Sequence, residues 1–370
     1  MLMTHIYHMI DYIYQAPDAL NRTLFSNEVK IARIASQVRE RNIQRIIISG
    51  VGSSYTAGII VAPVFMRVCL LPTYLLPSTE IAAYQPGLID ENTLIVAVSR
   101  SGERGWVVDS FCEAVRQGAM GVAITGNSEG LLAQNAPNLL VASEGPEASF
   151  PKTKSVVTHA GILARLALAL ADPKDPVAAT ILKALYGMPK LIEDTLQACQ
   201  PQVQVLMPEL KKYRTMMLAG TLGNYGVALE GSLKLQEASG LVVVGNETGN
   251  MLHGPWTTIT PDWLVTLLVT EYDQTLSEIT LRLAAKLGAK RLAFVEAGLD
   301  LGSLADYQIT LPVKPERFLA GMAFLPPIQL LTYYWAVANG LDPDTPSNTS
   351  AVLEAMLPDG RQEPEMGNVK

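Results

Sequence analysis

The sequence has 370 residues, of which 49% are hydrophobic, 17% are charged and 6% are aromatic, and its net charge is −7. This composition is typical of a globular chain long enough for two domains, and it excludes disordered and fibrous classes. Because the chain is acidic and has no long basic run, we do not expect it to bind nucleic acid by counterion release.

The N-terminal sequence MLMTHIYHMIDYIYQAPD has an acid in its middle and no basic n-region. No uncharged run elsewhere reaches the roughly 18 apolar residues of a membrane span. The cysteines Cys69, Cys112 and Cys199 have neither disulfide nor zinc spacing. We therefore expect no export signal, no membrane anchor and a reducing cytoplasmic location.

Short apolar runs alternate with helix-like segments along the chain, and each run has the length of a strand rather than of a helix. The runs of the first half are RIIIS, TYLLPS, TLIVAVS, GVAIT and NLLVAS, and those of the second half are MMLAG, GLVVVG, WLVTLLVT, RLAFVE and YQITLPV. This alternation predicts an α/β fold with two tandem doubly wound, flavodoxin-like domains, each a five-stranded parallel sheet flanked by helices.

The two halves match at a fixed offset, which indicates a duplicated domain. Tyr55 and Tyr225, Leu94 and Leu264, and the Gly-Ala pairs at 118–119 and 288–289 are each separated by 170 residues. The predicted organisation is an N-terminal helical segment at 1–30, a first domain at 31–175, a helical linker at 176–205, a second domain at 206–345 and a C-terminal tail at 346–370.

Two hydroxyl-rich turns, GVGSSY and SRSGER, follow strands of the first domain. Ligands of an open parallel sheet bind beyond the carboxyl ends of its strands, where glycine admits a close approach and serine hydroxyls and helix N–H groups suit phosphate oxygens. Either loop alone is better interpreted as a helix cap, but two at successive strand ends favour a phosphate site. The predicted phosphate ligands are Gly52, Ser53, Ser54, Ser99 and Ser101, and the segment FPKTKS adds Thr153 and Lys154.

Other phosphate and metal motifs are missing from the sequence. There is no GxxxxGK[ST] pattern, the first loop lacks GxGxxG, and no His, Cys and carboxylate cluster has metal-ligand spacing. We therefore expect neither ATP nor NAD, no metal and no cofactor.

The segment 225–256 carries candidate acid and base groups. Glu230, Lys234 and Glu237 are spaced i, i+4 and i+7, which places them along one face of a helix. The alternative interpretation is a solvated salt-bridge stripe. His253 follows in a Gly-Pro turn, where proton transfer and a structural role are both open, whereas His5, His8 and His159 are better interpreted as structural. A phosphate site with a carboxylate and a histidine suits proton transfer in a sugar phosphate, through an enediol or enolamine.

These residues resemble the SIS (sugar isomerase) domains, in particular the isomerase part of glutamine–fructose-6-phosphate aminotransferases. The resemblance is carried by GVGSSYTA, VSRSGE, TKS, and ALEGSLKLQE followed by LHGP. It implies that Ser53, Ser54, Ser99 and Ser101 bind the sugar phosphate, with Arg100 beside them and Arg104 where the family usually has threonine. It further implies that Glu237 is the base, that Glu230 and Lys234 are its helical companions, and that His253 opens the sugar ring. Because this histidine acts across a dimer interface in the family, a homodimer is implied.

Two departures from the family pattern are visible. No nucleophilic cysteine stands at position 1 or 2 and the first loop begins by residue 49, so a glutaminase domain and glutamine-driven synthesis are not expected. The family's Schiff-base lysine is also missing, because the matching stretch reads DPDTPSNTSAV with Ala351 near its place, and nothing in the sequence assigns that role to Lys370. Fructosamine-6-phosphate deglycases resemble this pattern in lacking the lysine.

Three functions follow as hypotheses. The first is an isomerase or deaminase acting on a ketose or amino-sugar 6-phosphate, and the second is a deglycase that releases an amine from an Amadori-type sugar phosphate. The third is a non-catalytic sugar-phosphate sensor, against which the retained Glu and His and the lack of a helix-turn-helix segment argue. Arg104, Trp106 and the NETGNM loop are expected to shape the sugar side of the pocket.

Overall fold

A computed structural model describes residues 6–84, 87–103 and 105–351, in which strands and helices alternate. The strands are β1 (Arg45–Gly50), β2 (Thr73–Pro77), β3 (Thr93–Val98), β4 (Met120–Thr125), β5 (Leu139–Val141), β6 (Thr215–Gly220), β7 (Val242–Glu247), β8 (Trp263–Val269), β9 (Lys290–Val295) and β10 (Tyr307–Thr310). The α-helices are α1 (His8–Ser26), α2 (Glu28–Glu40), α3 (Ser53–Val68), α4 (Trp106–Arg116), α5 (Leu131–Gln134), α6 (Lys154–Leu170), α7 (Pro176–Leu210), α8 (Gly223–Ser239), α9 (Gln274–Lys286) and α10 (Ala320–Ala338).

The strands form two parallel sheets of five strands each. The first has the order β2-β1-β3-β4-β5, and the second has the same order in its own strands, β7-β6-β8-β9-β10. Every strand predicted from an apolar run is present, which confirms the α/β prediction. The runs identify the strands because a parallel strand covered on both faces is predominantly apolar, and β3 and β4 are buried throughout their length.

The 170-residue offset recurs in the elements themselves. β1 begins at Arg45 and β6 at Thr215, while α3 begins at Ser53 and α8 at Gly223. We call the part containing β1 to β5 the first repeat and the part containing β6 to β10 the second repeat.

The chain divides into two compact units, each with one sheet. The unit of the first repeat comprises residues 15–148 and 154–189, and that of the second repeat comprises residues 6–14, 149–153 and 190–349. The predicted linker at 176–205 falls within α7, which runs from Pro176 to Leu210, and the predicted N-terminal segment at 1–30 holds α1 and the start of α2. The predicted domain limits, including the tail from 346, remain predictions.

In the second repeat, α8 packs closely against α10 because glycines leave room for the contact. A Cβ at Gly231 would lie 2.5 Å from the Ile328 side chain, and one at Gly321 would lie 2.6 Å from the Gly223 carbonyl oxygen. This packing buries most of α8, including polar positions in its middle turns.

Two further features concern the cysteines and the length of the helices. The three cysteines are free, and Cys69 and Cys199 are buried. Within the part of the chain that the structure describes, no helix has the length and apolarity needed to cross a membrane.

Candidate active site

The first predicted phosphate loop follows β1, the strand at which the strand order of the first sheet changes direction. β1 has β2 on one side and β3 on the other, so the loops after β1 and β3 emerge side by side at the carboxyl edge. Gly52 takes a φ of 54°, and Ser53 and Ser54 then open α3. A Cβ at Gly50 would lie 2.9 Å from the backbone of Ser54, so glycine is needed for this close turn.

The second predicted phosphate loop is stabilised by hydrogen bonds to its own serines. Ser99 Oγ accepts a hydrogen bond from the Gly102 N–H at 3.2 Å, and Ser101 Oγ accepts one from the Glu103 N–H at 3.4 Å. Accepting a bond uses an oxygen lone pair and leaves the hydroxyl hydrogen to donate to a ligand oxygen. The capping and phosphate-binding interpretations of these serines are therefore compatible.

Arg100 lies in the same loop, and its guanidinium approaches a buried acid. Arg100 Nε is 4.0 Å from Glu144 Oε1, and the Arg100 side chain stays partly exposed. Arg104 lies outside the described residues. Trp106 is exposed at the start of α4 and lines a cavity of about 190 Å³ together with Ser78.

Thr153 and Lys154 are buried rather than open to solvent. The Lys154 backbone N–H donates to Glu147 Oε1 at 3.0 Å, and its Nζ donates to Gln15 Oε1 at 2.8 Å. Burial lowers the pKa of Lys154. Within the second unit, the Thr153 carbonyl accepts a hydrogen bond from Gln329 Nε2. Their assignment as phosphate ligands remains a prediction.

In the second repeat, α8 brings the two carboxylates and the lysine together as their spacing predicts. Lys234 forms an ion pair with Glu237, and its Nζ lies 3.7 Å from Glu230 Oε1. Glu230 and Lys234 are only 0% and 1% exposed. The interpretation as a solvated salt-bridge stripe is therefore wrong. Glu237 is the accessible member, since 20% of its side chain is exposed.

A cavity of about 220 Å³ opens beside Glu237. Its walls are the end of α8 and a segment after α10 that contributes Asp342, Thr345, Ser347 and Asn348. The stretch DPDTPSNTSAV resembles the family's C-terminal segment, but the sequence predicted no role for these four residues, because carboxylate, hydroxyl and amide side chains in a proline-rich tail are ordinary loop residues. From 341 to 351 the chain has no lysine, so the described wall offers no amine for a Schiff base.

The four histidines differ in their surroundings. His253 follows a short 3-10 helix, Asn250–Leu252, and is exposed. It does not line the cavity at Glu237 as far as the described residues show. His159 is fully buried on α6, and burial lowers its pKa to about 4. His8 is exposed in α1, and His5 lies outside the described residues.

The SIS domain family model matches residues 41–171 and 209–339. These matches span both repeats, so the chain belongs to the SIS domain family. Among the described residues, no three His, Cys, Asp or Glu side chains are grouped as metal ligands.

Curated relatives have sequences about a quarter identical. A glutamine–fructose-6-phosphate aminotransferase of Pyrococcus horikoshii is 26% identical over 341 residues, covering 92% of this chain and 56% of that protein. The same enzyme of Clostridium tetani is 28% identical over 355 residues, covering 92% of this chain and 57% of that protein. The chain thus spans somewhat more than half the length of these relatives.

Solved structures share the fold. The C-terminal domain of glucosamine-fructose-6-phosphate aminotransferase from Francisella tularensis superposes with a TM-score of 0.85 at 22% identity, covering 93% of this chain and 99% of that one. A glucosamine-6-phosphate deaminase from Thermotoga maritima gives a TM-score of 0.74 at 22% identity, covering 92% of this chain and 97% of that one.

Proposed function

We propose that the protein is a phosphosugar isomerase or deaminase that acts on a ketose or amino-sugar 6-phosphate. The observation that carries the proposal is the position of Glu237, an accessible carboxylate at a cavity with the buried Lys234 beside it. The ammonium supplies a counter-charge to a carboxylate that takes up and returns a proton. The names of the relatives support a sugar phosphate as the substrate.

In this mechanism the serines of the two first-repeat loops anchor the phosphate of the sugar. Glu237 removes a proton next to the carbonyl carbon and returns it to the neighbouring carbon, through an enediol or enolamine. His253 helps to open the sugar ring. Because His253 is exposed and does not line the Glu237 cavity among the described residues, we infer that it acts on the site of a second copy in a homodimer.

A deglycase is the second candidate function. The wall of the Glu237 cavity carries Asp342, Ser347 and Asn348, and the described tail has no lysine. A polar wall of this kind can receive a cationic amine, and the lack of a lysine removes the covalent anchor for an open ketose. The same base would then release an amine from an Amadori-type sugar phosphate. The third hypothesis, a silent sensor, gives no reason for a buried lysine beside an accessible carboxylate.

The test is proton NMR in heavy water with fructose 6-phosphate, glucosamine 6-phosphate and a fructosamine 6-phosphate as separate substrates. We expect Glu237→Gln to lower turnover by about 10²- to 10⁴-fold, because the amide cannot accept a proton. Glu209→Gln, an exposed carboxylate on α7, is the control and should turn over normally. Deuterium entry at the first or second carbon of fructose 6-phosphate without amine release identifies the isomerase. Ammonia released from glucosamine 6-phosphate identifies the deaminase, and an aldose phosphate with free amine from the fructosamine 6-phosphate identifies the deglycase. Turnover that survives Glu237→Gln would remove Glu237 as the base.

A further inference from the structure

A buried carboxyl group lies beneath the second phosphate loop. Glu144 is 2% exposed, and its Oε1 reaches the carboxyl end of β4, where a Cβ at Gly126 would lie only 2.3 Å away. Gly126 hydrogen-bonds through its N–H to the Arg100 carbonyl at 3.1 Å. The absence of a side chain at Gly126 therefore makes room for Glu144 directly under the loop that holds Ser99 and Ser101.

The second repeat places a carboxylate at the equivalent point. Glu296 stands 170 residues after Gly126 and is also buried. It accepts a hydrogen bond from the Glu271 N–H, in the loop after β8, at 2.9 Å. Both repeats thus set a buried carboxyl group against the loop that follows the third strand. In the first repeat it faces a guanidinium, which never loses its charge.

Glu144 is surrounded by side chains of α6 and by Arg100 of the loop after β3. From α6, the Thr158 hydroxyl donates to Glu144 Oε2 at 2.5 Å, and His159 Nε2 lies 3.7 Å from the same oxygen. Oε1 faces Arg100 Nε at 4.0 Å. Within the described part of the chain, neither Glu144 Oε1 nor His159 Nε2 has a hydrogen-bond partner.

Other charged groups act electrostatically on this site. Glu147 and Lys154 act on Glu144, and Arg22 acts on Lys154. Burial raises the pKa of Glu144 to about 8, so near neutral pH the group is mainly a neutral acid, and burial keeps His159 neutral as well. With both neutral, neither Glu144 nor His159 offsets the charge of Arg100.

We propose that Glu144 is a positioning residue that sets the charge offered to a bound phosphate: in its neutral form it leaves the charge of Arg100 to the ligand, and in its ionised form it takes that charge for itself. The inference rests on the proposed phosphate site of the first repeat. A bound dianion next to Arg100 disfavours a second negative charge at Glu144. By linkage, phosphate binding should take up protons near pH 8 and weaken as the pH rises further.

The test is calorimetric titration of the full chain with fructose 6-phosphate between pH 7.0 and 9.5, in two buffers of different ionisation enthalpy. Across this range a sugar phosphate stays a dianion, because its second pKa is about 6. We expect the wild-type Kd to rise roughly tenfold across this pH range, because one unit of negative charge forms at Glu144 near the bound phosphate. We also expect binding near pH 8 to take up protons. Glu144→Gln should bind with a Kd that is flat with pH and without proton uptake. Glu296→Gln, which alters the buried carboxyl group at the corresponding loop of the second repeat, should behave as wild type.

Thr158→Val provides a second variant if Glu144→Gln does not fold. Removing the hydroxyl takes away a hydrogen bond that favours the ionised carboxylate, so the pH at which binding weakens should move upward. The role of Glu144 is overturned if the wild-type Kd is the same at pH 7.0 and 9.5, or if the pH dependence persists in Glu144→Gln. Neither outcome affects the proposed phosphate site. Failure of the wild type to bind either fructose 6-phosphate or inorganic phosphate would instead overturn the phosphate site itself.

Discussion

After β1 the chain turns at Gly52, with φ 54° and ψ −129°, and after β6 it turns at Leu222, with φ 55° and ψ −128°. The two repeats therefore keep the same turn with different residues. In the next loop Ser101 of the first repeat corresponds to Glu271 of the second, 170 residues later. The second-repeat loop also carries its own anions, since its N–H groups donate to Asp273 and Glu296. The shared backbone turn is thus followed by loops of different charge in the two repeats.

The helices that follow these turns also differ, and here it is the second repeat that carries the buried charges. The first-repeat positions matching Glu230 and Lys234 are Ile60 and Val64, both fully buried in α3. The first repeat combines serine-rich loops, which we propose bind phosphate, with an apolar helix, and the second combines acidic loops with a charged helix. We infer from this difference that the two copies divide the work, with phosphate binding assigned to one and proton transfer to the other.

The largest expected effect comes from breaking the buried charges of α8. Lys234→Met leaves Glu230 buried without its counter-charge, which should lower the free energy of unfolding by about 3–5 kcal/mol. The double substitution Glu230→Ile with Lys234→Val installs the residues of the first repeat. It should be close to wild type in stability, because packed apolar groups replace a buried pair at little cost. Urea unfolding measures both.

The same pair of variants decides whether the charges serve stability or function. If Lys234→Met is no less stable than the double variant, burial of Glu230 does not require the charge of Lys234. The difference between α3 and α8 would then have no consequence for stability. Turnover should be lost in both variants, because each removes the ammonium beside Glu237.

A smaller effect is expected from exchanging loop residues between the repeats. Ser101→Ala removes a hydrogen bond to a charged ligand, worth about 1.5–3 kcal/mol, or roughly tenfold or more in KM for the sugar phosphate. Ser101→Glu installs the second-repeat residue. It should raise KM more than Ser101→Ala does, because the added carboxylate repels the phosphate. The control is Glu271→Ser, an exposed position paired with Lys314, which should leave KM unchanged. A KM indifferent to Ser101 would remove the loop from the phosphate site.

The sequence predicted the shared features of the repeats better than their contacts. Buried parallel strands leave short runs of Val, Ile and Leu, and the duplication leaves a fixed offset, so both could be found without coordinates. Helical spacing placed Glu230, Lys234 and Glu237 on one face but could not tell a buried face from a solvated one. Partners brought together only by folding were missed, namely Glu144 beneath Arg100 and Asp342 in the wall of the Glu237 cavity.

The smallest effect tests the turn that the repeats share. A residue with a Cβ at this positive φ is strained by about 1–2 kcal/mol. Gly52→Ala should therefore cost about that much in the free energy of unfolding. Leu222→Gly should change stability by less than about 1 kcal/mol, because relief of strain is offset by the greater freedom of glycine in the unfolded chain and by the lost side chain. Thermal and urea unfolding of the two variants provide the comparison.

Since the dihedral angles at Gly52 and Leu222 agree within a degree or so, the two substitutions test the same backbone conformation, one by adding a Cβ to the turn and the other by removing one. If Gly52→Ala unfolded the protein outright, the first-repeat turn would need glycine for more than its φ, and the Leu222 turn would be no guide to it. If the fold holds and KM for the sugar phosphate rises, a methyl group at the mouth of the loop is enough to hinder the ligand. Leu222 would then close the equivalent opening in the second repeat by its side chain, in addition to the acids around it.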